Sequence, residues 1–232
     1  VASGGGQPGQ AALFFGGKLA SGGAVGVSLS GDVRLETIVA QGCRPIGHPM
    51  FATRVQRNLV YHLDGRAATA VLEDLFESLP DEDKVLVRQS ICLGIVMTDG
   101  RSEYRQGDFL IRNIVGADPE AGAIAVGAIV EDNAVVQFHV RDARTSAADL
   151  DGLLARVHGG RDAAPEGALL FSCVGRGAGL YGRPNHDLDT FHQRLGPVPV
   201  GGFFCNGEIG PVHGRTFLHG YTSCFGLFRP KR

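Results

Sequence analysis

Apolar residues follow two different periods along the chain. In residues 66–79, Ala67, Val71, Leu72, Leu75, Phe76 and Leu79 fall on one face of a 3.6-residue repeat, with Glu73, Asp74 and Glu77 opposite. That spacing predicts an amphipathic helix, which Pro80 closes. A shorter helix is expected over 81–89, with acids in the first turn where the helix dipole favours them. A third is expected over 146–157, with Ser146 as N-cap, Leu150, Leu153, Leu154 and Val157 inward, and Gly159-Gly160 behind its end. A fourth is expected around 187–195. Elsewhere the apolar runs are short and broken by glycines or turn residues: 13–15, 24–29, 33–40, 59–63, 91–97, 109–115, 123–130, 134–140, 168–173, 200–205 and 216–228. These read as strands. Ser30-Gly31-Asp32 and Asp64-Gly65 read as turns, and Asn206-Gly207 as a tight hairpin turn, because both residues tolerate positive φ. Strand and helix do not alternate regularly. The expected class is therefore α+β, with a mostly antiparallel or mixed sheet and a few packed helices.

Composition narrows the function classes. A chain of 232 residues with 44% hydrophobic and 20% charged residues is that of an ordinary globular protein. Its net charge of −2, with signs mixed throughout, lacks the basic stripe of a nucleic-acid binder. The longest uncharged apolar runs, 121–130 and 168–174, fall well short of the ~20 residues of a membrane helix. No secretory leader pattern is present, so no membrane partner is expected. Residues 1–11 read as a flexible leader, and Arg229-Pro230-Lys231-Arg232 as a frayed polar tail. The chain opens on Val1 rather than Met, and the expectation is that residues precede it.

Five cysteines stand at 43, 92, 173, 205 and 224. Their odd count and wide spacing match neither a disulfide framework nor a zinc site. The histidine pairs 186/192 and 213/219 are six apart, which is not the spacing of a helical metal motif. No metal and no cofactor are expected, and free thiols point to a reducing, cytoplasmic compartment. There is no nucleophile elbow, no phosphate-binding Walker loop and no acid pair at a defined spacing, so no catalytic residues are assigned.

Three places could carry chemistry. In 173–179, Cys173 ends an apolar run and Gly175, Gly177 and Gly179 surround Arg176. Bare backbone N–H groups beside a guanidinium fork suit a carboxylate or phosphate. Cys173 itself is a core residue, a ligand contact, or a nucleophile activated by Arg176. In 200–211, Glu208 follows Asn206-Gly207 amid apolar neighbours. It is either a solvated turn acid or the partner of a ligand cation or of Arg176. Arg44 and Arg112, the latter followed by Asn113, sit in otherwise apolar stretches. They either line a pocket or form internal ion pairs with Asp118 or Asp142.

Taken together, Gln41-Gly42-Cys43-Arg44-Pro45-Ile46-Gly47, Leu63-Asp64-Gly65, Arg112-Asn113-Ile114, Phe138-His139-Val140-Arg141-Asp142, Ser172-Cys173-Val174-Gly175-Arg176-Gly177 and Gly201-Gly202 through Gly210-Pro211 resemble the FIST (F-box and intracellular signal transduction) family, in the family's order. The likeness runs from about residue 12 to 228. It implies a cytoplasmic protein with N- and C-terminal FIST domains that binds small ligands such as amino acids and signals to partners. The family's signature positions fall on Arg44, Arg112, Asn113, Cys173, Gly175, Arg176, Gly177, Asn206, Glu208 and Gly210. On this reading 12–46 are the last strands of an N-terminal FIST-type domain and 47–232 a C-terminal one. A sheet cut at that point leaves an unpaired edge, so another chain or the missing N-terminal half is an expected partner. The leading expectation is a sensory module binding a small zwitterion or anion between Arg176 and Glu208. A thiol enzyme using Cys173 and a non-catalytic interaction scaffold are the alternatives.

Overall fold

A computed structural model describes residues 7, 9–98, 100–101, 103–158, 164–212 and 214–231. Most of the expected leader, the glycine pair at 159–160, His213 and Arg232 lie outside the described residues. The chain forms two compact units, one of residues 1–40 with 147–232 and the other of residues 41–146.

Unit 1 opens with strands β1 (Leu13–Phe15) and β2 (Lys18–Ala20), which pair with each other, and β3 (Arg34–Ala40). Residues 24–29, expected as a strand, are irregular and largely exposed. Apolar side chains favour a strand only where a partner edge exists to satisfy the backbone, and here none is used.

Unit 2 follows in one run. Its elements are β4 (Cys43–Gln56), β5 (Leu59–Leu63), β6 (Arg66–Ala67), α1 (Ala68–Ser78), α2 (Asp81–Gln89), β7 (Ile91–Val96), β8 (Phe109–Asp118), β9 (Ala123–Val126) and β10 (Val135–Arg141). The strand order β4-β10-β7-β8-β9-β5, with β5 also pairing to β4, closes an antiparallel barrel. Closure leaves those strands without open edges. Val60, Leu63, Leu93, Ile124, Val136, Phe138 and Val140 are buried in its core, and Val71, Leu72, Leu75, Leu86 and Val87 of the two helices pack against them. The helical period of 66–79 thus marks a covering face. On β7, Gly94 meets the His139 ring so closely that an added Cβ would lie 2.5 Å from it.

The rest of the chain is α3 (Ala143–His158), β11 (Gly167–Cys173), α4 (Ala178–Tyr181), α5 (His186–Leu195), β12 (Val200–Cys205), β13 (Glu208–Val212), β14 (Arg215–His219) and β15 (Ser223–Arg229). Helix α3 starts earlier than expected. Asp142, rather than Ser146, caps it, its carboxylate accepting from the Arg144 N–H at 2.9 Å and from the Thr145 hydroxyl at 2.8 Å. Asp is as good an N-cap as Ser, and the first one upstream takes the role. In unit 1, β12-β11-β15-β3 form a four-stranded mixed sheet in which only β11 and β12 run parallel. Ile38, Leu150, Leu154, Phe191, Phe225 and Leu227 form its core, with the Phe191 and Phe225 rings stacked at 5.0 Å.

Three further expectations give way here. Asn206-Gly207 is not a hairpin turn: neither residue takes positive φ, β12 pairs with β11, and β13 pairs with β14 in a separate hairpin. The stretch 216–228 is two strands, broken where Tyr221 adopts a left-handed φ of 62°. Arg229 is no tail residue. It is buried at the end of β15, where its Nε donates to Glu36 at 2.9 Å. Among the described residues no helix is long and apolar enough to cross a membrane.

Candidate functional site

The parallel pair β11–β12 and the helices linking them create the site. Gly202 lies opposite Leu170 in register. Its φ is +154° and an added Cβ would fall 1.8 Å from the Leu170 carbonyl oxygen, so no side chain fits there. Beside that close strand contact, residues 185–188 at the start of α5 and parts of β11 and β12 line a cavity of about 290 Å³. Its apolar wall is Leu170, Leu188, Val200, Phe203 and Phe204, and its polar wall is Ser172, Asn185, His186 and Asp187. Phe203 and Phe204 are 55% and 51% exposed, forming an open aromatic rim.

Behind the polar wall is a buried network. Arg176 donates to the two Asp187 oxygens through Nε (2.7 Å) and Nη2 (2.9 Å), and Nη2 also reaches the Tyr181 hydroxyl at 2.6 Å. Ser172 Oγ donates to Asp187 Oδ2 at 3.2 Å, and His186 Nδ1 lies 3.2 Å from Oδ1. The His186 ring is stacked on Tyr181 at 3.6 Å, 10° from parallel. Burial alone would raise the Asp187 pKa, but the hydrogen bonds and charge of Arg176 outweigh it and hold the carboxyl below its ordinary range. Burial would likewise lower Arg176, and Asp187 outweighs that too, keeping the guanidinium above its usual value. The pair is therefore a fixed ionic frame.

The residues singled out from sequence are distributed as follows. Gly177 lines the cavity. Arg176 stands behind it with its fork committed to Asp187, so the carboxylate it recognises is internal. Cys173 ends β11 as a buried thiol, in register with Cys205. The amide cradle expected at 173–179 is partly closed on itself, since the Arg176 N–H donates to Cys173 O and the Val174 N–H to Cys205 O. Glu208 is 2% exposed, accepts from the Thr222 hydroxyl at 2.7 Å, and leaves Oε1 without a hydrogen-bond partner among the described residues. Burial pushes its pKa up, against the opposing effect of Thr222. Glu208 is thus an interior acid rather than a turn acid, and Asn206 leads into its strand.

Arg44, Arg112 and Asn113 belong to unit 2. Arg44 bridges Asp83 and Asp142, the second as expected from sequence. Arg112 donates to the Ile111 carbonyl at 2.9 Å, and burial lowers its pKa. Asp118 accepts from the Glu120 and Ala121 N–H groups in a turn. Asn113 accepts from the Cys92 thiol at 3.7 Å. Among the described residues no group of three or more His, Cys, Asp and Glu is placed to hold a metal.

Asp187 and Tyr181 were not singled out from sequence, and His186 was weighed only as a metal ligand. Gly201-Gly202 inside an apolar run was the available signal, since glycine within a strand marks close backbone approach.

The FIST N domain matches residues 1–66 and the FIST C domain residues 67–211. Uncharacterized proteins of Mycobacterium bovis and Mycobacterium tuberculosis are each 40% identical over 228 residues, which is 98% of this chain and 59% of theirs. The chain thus spans 59% of the length of these curated relatives. An F-box/LRR-repeat protein of Arabidopsis thaliana is 27% identical over 132 residues, 50% of this chain and 25% of that protein. On the span and order of these matches, the chain belongs to the FIST family, whose domains are sensory domains of signal transduction.

Proposed function

We propose that this chain is a sensory module whose small-molecule ligand occupies the cavity between β11, β12 and the start of α5. The observation that carries the reading is a pocket with a mostly apolar lining and a few convergent polar groups, backed by a buried ionic frame. That is the usual construction of a small-ligand site. At about 290 Å³ it lies at the small end of such sites, so the ligand is compact. Arg176 and Glu208 were expected to grip a zwitterion directly. In the present reading Arg176 positions Asp187 and His186, which face the ligand. Five free cysteines support a reducing, cytoplasmic setting. The test is a thermal-shift screen of amino acids, organic acids and small aromatics on the 232-residue chain and on Leu170→Trp, which fills the cavity. A saturating ligand should stabilise the wild type by about 2–3 kcal/mol at 100-fold over its Kd and leave the filled variant unmoved. Equal shifts in both would remove the pocket from consideration.

We also infer a protein partner for the start of the chain. Phe14, Phe15, Leu19 and Val27 are 73%, 72%, 68% and 80% exposed, and β3 forms the edge of its sheet. Exposed apolar residues and an open strand edge are each places where other chains add. Phe14→Glu with Phe15→Glu should abolish that association in a sedimentation experiment; unchanged sedimentation in the presence of the candidate partner would count against it.

A further inference from the structure

The class of ligand follows from the hydrogen-bond polarity of the same cavity, and the inference rests on the pocket reading above. We infer that the ligand is a compact, uncharged aromatic carrying one O–H or N–H donor, and that His186 Nε2 accepts that donor. An ionised Asp187 carboxylate only accepts hydrogen bonds, so the His186 nitrogen 3.2 Å from Oδ1 must be the one that carries the proton. In the neutral ring the lone pair is then on Nε2, at the opposite edge of a side chain that lines the cavity. The stack on Tyr181 prevents the ring from turning away. Ser172 directs its hydroxyl proton to Asp187 and so also presents lone pairs. Three of the four polar side chains of the wall, Ser172, His186 and Asp187, thus offer acceptors, Asn185 carries an amide with both a donor and an acceptor, and the guanidinium that could have met a carboxylate is turned to Asp187. The aromatic ligand body follows from Phe203 and Phe204 at the rim, beside the lining stretch Gly201-Gly202 that carries no side chains.

Three probes of similar size, measured by calorimetry at pH 8 on the 232-residue chain, separate the possibilities: phenol, toluene and benzoate. Phenol should bind about 10-fold more tightly than toluene, the scale of one hydrogen bond. Benzoate should bind more weakly than either. In His186→Phe, which keeps an aromatic ring on Tyr181, phenol and toluene should come within about 2-fold of one another, toluene affinity being retained. The phenol-to-toluene ratio of the wild type needs no variant, so a folding defect in His186→Phe leaves the test standing. Equal binding of phenol and toluene, abolished by Leu170→Trp, would overturn the donor assignment and keep the pocket. Benzoate binding most tightly, seated on the first amides of α5, would overturn it as well. Failure of all three probes to bind would overturn both readings.

Discussion

Glu208 in unit 1 and His139 in unit 2 are each buried with one side-chain polar atom left unbonded among the described residues, and the two respond to pH with opposite signs. In unit 1, Glu208 leaves Oε1 unpartnered among the described residues; in unit 2, His139 does the same with Nε2, while its Nδ1 meets the Gln137 carbonyl at 3.0 Å. Burial raises the pKa of the acid, and it lowers that of the imidazole to about 4 despite the opposing Gln137 contact. Both groups are driven to their neutral form. For Glu208 neutral means protonated, so its contribution is full below the ordinary glutamate range and is lost as pH rises through the raised value. For His139 neutral means unprotonated, so its contribution is full above about pH 6.5 and is lost as pH falls toward 4. The lesson is that burial selects a charge state, and the residue type then decides which side of neutrality is stabilised. The ion pairs differ in a parallel way: Arg176–Asp187 is nearly inaccessible, whereas Arg44 retains 31% side-chain exposure between Asp83 and Asp142.

The sharpest break in that contrast is Arg176→Met. It leaves Asp187 buried and unpaired, and urea denaturation should show a loss of about 3–5 kcal/mol, most of it recovered in Arg176→Met/Asp187→Leu. A loss below about 1 kcal/mol would mean that the pair is not a structural frame. Next in size is the acid limb of unit 2. Hydrogen exchange of the β7 and β10 amides should report a loss on the order of 3 kcal/mol between pH 7 and 4, and His139→Gln should flatten that slope. Asp142→Ala removes a helix cap and a partner of Arg44 together. Its expected cost is about 1–2 kcal/mol, seen in exchange at the first turn of α3. The smallest effect is Glu208→Gln, which should stabilise unit 1 at pH 8 by up to ~1 kcal/mol and give no gain at pH 4. A gain that persists at pH 4 would show that charge is not what burial disfavours there.

Much of the fold was legible locally. The face defined by Val71, Leu72 and Leu75 is the face that packs on the barrel core, and Asp64-Gly65 does turn, with φ of 47° and 79°. Residues 24–29 and Asn206-Gly207 misled because their local signals are real but conditional. A run of apolar residues becomes a strand only beside an available edge, and an Asn-Gly pair turns a hairpin only if the flanking strands pair with each other. Arg44 with Asp142 was foreseeable as a charge needing a partner, though a separation of 98 positions gave no reason to prefer that aspartate. Asp187 was hidden as an acid in the first turn of a helix, where a dipole explanation already sufficed.

The sequence alone determined the α+β class, the spans of most helices and strands, and the family, because periodicity and turn chemistry are written in neighbouring residues. Tertiary structure decided that Gly202 faces Leu170, that Arg176 takes Asp187 rather than Glu208, and that His186 lines a cavity with Nδ1 beside Asp187. Those outcomes depend on which strand pairs with which and in what register. Period shows which side of an element is apolar, but the element it will meet is set by the packing of the whole unit.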